Sequence, residues 1–204
     1  MKENEWSDMI AGKLRCALDD LEVETLRRIP YSQEIESYAG DWQPNYMNPM
    51  RFETDMVVFE RENSIIKPRV IVEAKLGTVT THDAITYSYK AEKHKAITPY
   101  VRYGIMIGGR EHYPLPGRLF RHGTNFDFMF SFKGEAPDEK EWETFVALIA
   151  REAQYSRQTE EMLHESRSSG RKRYFMMEKQ LVLSEMEDIP FPRNDSDNDL
   201  KSKE

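Results

Sequence analysis

Two carboxylates and an amine stand in an order that suits cation chemistry. Asp55 opens the apolar run Asp55-Met56-Val57-Val58-Phe59, and Glu73 and Lys75 close the run Val70-Ile71-Val72-Glu73-Ala74-Lys75. Seventeen residues, 56–72, separate the two carboxylates. Neighbouring carboxylates repel each other, raise one another's pKa, and gain a reason to coexist when a cation sits between them. Both are hard oxygen ligands, which points to Mg²⁺ or Mn²⁺. A lysine within reach of a metal-bound water can orient it or offset developing negative charge, and such a set can hydrolyse a phosphodiester. A bare Glu-x-Lys is common, and the same residues would also serve as a salt bridge at a strand edge with Glu73 in solvent.

The elements that must position these groups are two strands and their neighbours. Side chains alternate faces along a strand, so Glu73 and Lys75 share one face and Val72 and Ala74 the other. The segments 52–59 and 70–73 read as strands, and Glu62-Asn63-Ser64 supplies turn chemistry between them. A hairpin would bring Asp55, near the start of one strand, beside the end of the next. Upstream, Trp6, Met9, Ile10, Leu14, Ala17, Leu18 and Leu21 predict an amphipathic helix over 5–22, which Ser7 would cap if the helix starts late. Pro30 is expected to break the chain, Ile35 and Tyr38 to lie in a first strand, and 39–50 to form a loop. Downstream, the pattern predicts a helix over 80–97 capped by Thr80 or Thr81, a strand over 101–107 and a loop over 113–118. A strand over 126–132 and a long helix from 138 to about 166 follow. The expected fold class is α/β (α+β), a mixed central β-sheet flanked by helices with a long C-terminal helix. The expected divisions are a core domain over 1–135, a C-terminal helical extension packed on it over 136–184, and a disordered acidic tail over 185–204.

On the Asp55, Glu73 and Lys75 spacing and this order of elements, the chain resembles the PD-(D/E)xK nuclease superfamily, the restriction-endonuclease-like fold. Its core of helix, three strands, helix and strand corresponds to residues 5–107. The resemblance implies that Asp55 is a metal-binding aspartate, Glu73 the second acidic ligand and Lys75 the catalytic lysine, with the Ala74 carbonyl as a main-chain metal ligand. It also implies Mg²⁺ (or Mn²⁺) as cofactor and DNA as partner, with RNA left open. Thr54 stands where the family pattern has proline. In related nucleases the helix after the motif flanks the active site, which makes Lys90 and Tyr87 further candidates. An early glutamate sometimes joins the metal site, and Glu22, Glu36 and Glu53 are the options.

The net charge of −7 hides a pattern. Residues 1–66 hold 7 Lys+Arg against 14 Asp+Glu, whereas residues 67–133 hold 11 against 5 and four of the five histidines. This basic block fits phosphate binding, with Lys90, Arg102, Arg110, Arg118 and Arg121 as the expected nucleic-acid contacts. A single cysteine, Cys16, excludes a disulfide framework and a Cys-rich zinc site. No apolar run exceeds Phe145–Ala150, and the opening Met-Lys-Glu-Asn-Glu has no apolar signal core, so a cytoplasmic protein without a membrane partner is expected. The expected function is a metal-dependent DNA endonuclease in restriction, defence or repair, with its long C-terminal helix as the candidate homodimer interface. The alternative is a non-catalytic member of the same fold that binds nucleic acid or a protein.

Overall fold

The computed structural model describes residues 1–109, 114–165, 167–178 and 181–184. Arg110 and the tail over 185–204 lie outside the described residues. One compact unit spans Met1–Arg171 and a second spans Lys172–Glu204. In the second, the described residues form neither helix nor strand, and Tyr174, Phe175, Leu181 and Leu183 are exposed.

The first unit runs α1 (Glu3–Arg15), β1 (Glu22–Ser32), β2 (Ile35–Tyr38), β3 (Pro44–Tyr46), β4 (Met50–Glu62) and β5 (Ile65–Leu76). It continues with α2 (Thr81–Ile97), β6 (Arg102–Gly108), α3 (Gly117–His122), β7 (Phe128–Ser131) and α4 (Glu139–Glu165). Five strands form a mixed sheet in the order β1-β4-β5-β6-β7. β1, β4 and β5 pair antiparallel, and β5-β6 and β6-β7 pair parallel. This is the expected α/β class, but the first strand of the central sheet is β1, not the expected strand with Ile35 and Tyr38, which is β2 of a separate sheet. A two-stranded hairpin, β2-β3, is inserted between β1 and β4.

Strand alternation builds two cores. Met56, Val58, Val70, Val72, Ala74 and Met106 face α1 and α4, where they meet Trp6, Ile10, Leu14, Phe145 and Ile149. Val57, Phe59, Ile71 and Tyr103 face Ala91 of α2, and Ile105 and Ile107 face Ala84 and Leu119. The apolar stripe of α4 is thus spent on the sheet. Ion pairs reinforce that docking: Arg69 contacts Glu60 and Glu160, and Arg102 contacts Glu152.

Five local expectations are corrected. α1 ends at Arg15, not near residue 22, because Glu22-Val23-Glu24-Thr25 join β4 as a strand. Leu18 and Leu21 stay buried, so their helical spacing reflects the core and not the backbone. Ser7 does not cap α1: it is buried within the helix and donates to the Asp55 carbonyl at 3.3 Å. Pro30 does not end a segment; it lies in β1, an edge strand, where one missing amide is tolerated. Part of the expected 39–50 loop forms β3, and Gly117–His122 forms a short helix that turn residues concealed.

Candidate active site

The site is made by two strands that part. β4 and β5 pair from Glu62↔Ile65 to Met56↔Val72, and no further. Beyond that point β4 continues with β1 to the Ser32↔Met50 pair, and β5 continues with β6 as far as Leu76↔Gly108. β1 kinks at the same level: Thr25 faces Met56 and Arg27 faces Thr54, and the intervening Leu26 has φ of 54°. A bulky residue adopts that conformation only at a cost, here where the β1–β4 pairing skips Leu26 and Asp55.

The parting leaves backbone donors of β5 without a strand partner, and carboxylates take them. Asp55 Oδ2 accepts the Ala74 amide at 2.7 Å. Glu3 Oε2, from the first turn of α1, accepts the Leu76 amide at 3.0 Å. In an extended strand the amide and carbonyl of one residue point to the same side. The Ala74 carbonyl therefore faces the same gap.

Glu73 and Lys75 lie on the α2 face of the sheet, as alternation predicts. Glu73 is fully buried. Both its oxygens accept from Lys90 Nζ at 3.1 Å, and Tyr103 Oη donates to its Oε1. Lys90 Nζ also donates to the Glu53 carbonyl at 2.9 Å, so one ammonium bridges β4 and β5 beyond their parting. Burial pushes the Glu73 carboxyl up to about 7; the Lys90 ammonium opposes the rise, and Asp55 adds to it. The expected carboxylate repulsion is present but secondary to burial, and the lysine that counters it is Lys90.

Lys75 pairs elsewhere. Its Nζ lies 3.5 Å from Glu3 Oε2 and 3.7 Å from Asp83 Oδ1, at the partly open edge of the site. Asp83 is itself fixed by accepting from Thr80, the N-cap of α2. Tyr87 is half-buried beside this group: burial first, then Asp55, Glu73, Glu3 and Asp83, push its hydroxyl well above the usual range. It is a neutral phenol at any working pH.

The structure thus brings Asp55, Glu73, Ala74, Lys75, Lys90 and Tyr87 together. It adds Glu3, Asp83 and Tyr103, which sequence reading did not select. The acidic first turn of α1 was the available sign for Glu3, and the alternation of β6 places Tyr103 on the Glu73 face. The early glutamates considered lie elsewhere. Glu22 pairs with Arg61, and Glu36 is on the exposed β2 strand. Glu53 is exposed and presents its carbonyl to the site.

The expected phosphate contacts divide. Lys90 is turned inward to Glu73. Arg102 is held by Glu152 and Asp127 at 2.7 and 3.1 Å, at the far end of β6. Arg118 donates to the Val79 carbonyl at 2.8 Å, while Arg121 is exposed on α3.

The donor set suits a hard cation. Two carboxylates and a main-chain carbonyl border the gap, and an ammonium already sits among oxygens of Glu73 and Glu53. Among the described residues no three His, Cys, Asp or Glu side chains gather as a metal cluster, so main-chain oxygens and water would complete the shell.

No family model and no curated protein matches the chain. Among solved structures it is similar to a pre-specific restriction endonuclease, BsaWI, in complex with DNA. The identity is 13%, the TM-score 0.42, and the match covers 83% of this chain and 68% of the other. No helix among the described residues is long and apolar enough to cross a membrane.

Proposed function

We propose that the chain is a metal-dependent nuclease that hydrolyses DNA phosphodiester bonds. Asp55, Glu73 and the Ala74 carbonyl would hold Mg²⁺, or Mn²⁺ in its place. The observation that carries this reading is the pairing of Asp55 with the Ala74 amide at the point where β4 and β5 part, beside buried Glu73. The bound ion would polarise a phosphoryl oxygen and lower the pKa of a coordinated water. Lys75, held at the edge by Glu3 and Asp83, would orient the attacking water or offset charge on the phosphate. Tyr87 would donate a hydrogen bond without taking part in proton exchange. Arg118 and Arg121 on α3 would contact the phosphate backbone.

Incubation of purified protein with supercoiled and linear DNA in Mg²⁺, Mn²⁺ or EDTA tests this. Nicked or linearised product that requires the metal is the expected result; uncut DNA in both metals would overturn it. A second reading, a non-catalytic DNA-binding protein, is favoured by the Lys90 ammonium that already neutralises Glu73. Salt-sensitive DNA binding with no cleavage would select it.

A further inference from the structure

Lys90 lies on the third turn of α2 and is largely buried, with its Nζ between two strands. Three oxygens receive it: both of Glu73 on β5 and the Glu53 carbonyl on β4. Its ammonium lies 5.3 Å from the centre of the Tyr87 ring, so the aromatic face supplies a fourth favourable contact. An ammonium at 2.9–3.1 Å from three oxygens that border a gap between strands occupies the kind of environment a hard cation requires. Lys75, on the neighbouring turn of the pleat, is engaged by Glu3 and Asp83 and leaves Glu73 to Lys90.

We propose that Lys90 is a built-in counter-cation that occupies Glu73 in the metal-free protein and must withdraw before a divalent cation can be held there. Lys90 is in this sense a positioning residue: it keeps the parted strands bridged and sets the threshold for metal entry. The inference rests on the metal-binding reading above. Its physical basis is direct. A second cation at Glu73 meets the charge of the first, so either the ammonium moves away or binding is weakened. The lysine stem has four carbons and rotates freely enough to carry the ammonium out of the gap.

The test is isothermal titration with Mg²⁺ alone, without DNA, on the wild type, Lys90→Met, Lys90→Arg and Glu73→Gln. Titrations repeated at pH 8.5 and at about 9.5 show whether a proton replaces the ammonium as the competitor at Glu73 in Lys90→Met. Lys90→Met removes the charge at nearly constant shape and should bind Mg²⁺ at least ~10-fold more tightly. Lys90→Arg keeps a cation and should bind no more tightly than wild type. Glu73→Gln should lose most of the affinity. In parallel, the Lys90 side-chain ammonium resonance of ¹⁵N-lysine-labelled wild type should shift on Mg²⁺ addition. Equal Mg²⁺ affinity of wild type and Lys90→Met would overturn the counter-cation role and leave the metal site standing. Weaker binding by Lys90→Met would overturn it too, because Lys90 would then support the ion. Absence of Mg²⁺ binding in every variant would remove both the counter-cation and the metal-binding reading. If Lys90→Met melts far below the wild type, Lys90→Gln replaces it in the same comparison.

Discussion

Asp55 Oδ2 accepts the amide of Ala74 at 2.7 Å, across the point where β4 and β5 cease to pair. A carboxylate here substitutes for the missing strand neighbour, so Asp55 has a structural role besides any catalytic one. Asp55→Ala leaves a donor on the buried Ala74 without a partner and should cost about 1–3 kcal/mol. Asp55→Asn keeps an acceptor oxygen and should melt close to wild type. Both should abolish Mg²⁺-dependent cleavage, since neither supplies a charged oxygen ligand. Thermal melts and plasmid cleavage on the two variants separate the roles.

Glu73 makes stability depend on pH in a defined direction. Its carboxyl titrates near 7 in the fold against 4.5 in the unfolded chain, so the native state holds the proton more tightly. The stabilisation from that proton is present below about 4.5 and is lost as pH rises to about 7. The difference corresponds to about 3 kcal/mol. Glu73→Gln cannot lose it. In EDTA, the stability of Glu73→Gln relative to wild type should therefore rise between pH 4.5 and 8. Denaturant titrations across that range measure it, and a gap that stays flat would contradict the buried, proton-holding carboxyl.

Lys75 should matter for chemistry and little for folding. Its ion pairs with Glu3 and Asp83 are long and partly exposed, and such pairs contribute about 0–1 kcal/mol. Lys75→Ala should melt near wild type yet cut DNA roughly 100-fold more slowly or worse. Lys75→Arg should restore only part of the rate, because the guanidinium is wider and stays protonated. Single-turnover cleavage with a melt of each variant checks this.

Glu3 links α1 to the site through the Leu76 amide and Lys75. Glu3→Gln keeps an acceptor for Leu76 but loses the charge that holds Lys75, and should slow cleavage several-fold without a change in melting. Glu3→Ala should lower both, with a stability loss of about 1 kcal/mol.

The basic block should separate into binding and structural residues. Arg118→Ala with Arg121→Ala should weaken DNA binding and flatten its dependence on salt, as fewer counterions are released. Arg102→Ala should leave DNA affinity unchanged. It strips the buried Glu152 of its partner, and should cost about 3 kcal/mol of stability. Fluorescence anisotropy over a salt series, with melts alongside, distinguishes the two.

Period-two alternation determined that Glu73 and Lys75 share a face, and the Glu62-Asn63-Ser64 turn determined the hairpin that brings Asp55 beside them. Thr80 or Thr81 likewise marked the start of α2, and the stripe around Phe145 and Ile149 marked α4. These features are local: they depend on spacing along one element and on cap and turn chemistry. The end of α1 was not legible, because Leu18 and Leu21 continue a helical spacing while serving the core from outside a helix. What only the tertiary structure decided was which partners meet. β4 parts from β5 and continues beside β1 while β5 continues beside β6, and no local pattern records it. That parting is why Asp55 reaches Ala74, why Glu3 reaches Leu76, and why the lysine that touches Glu73 is Lys90 from α2 and not Lys75 two residues away. A side chain's direction is set by its own strand, but its partner is set by the elements that pack across it.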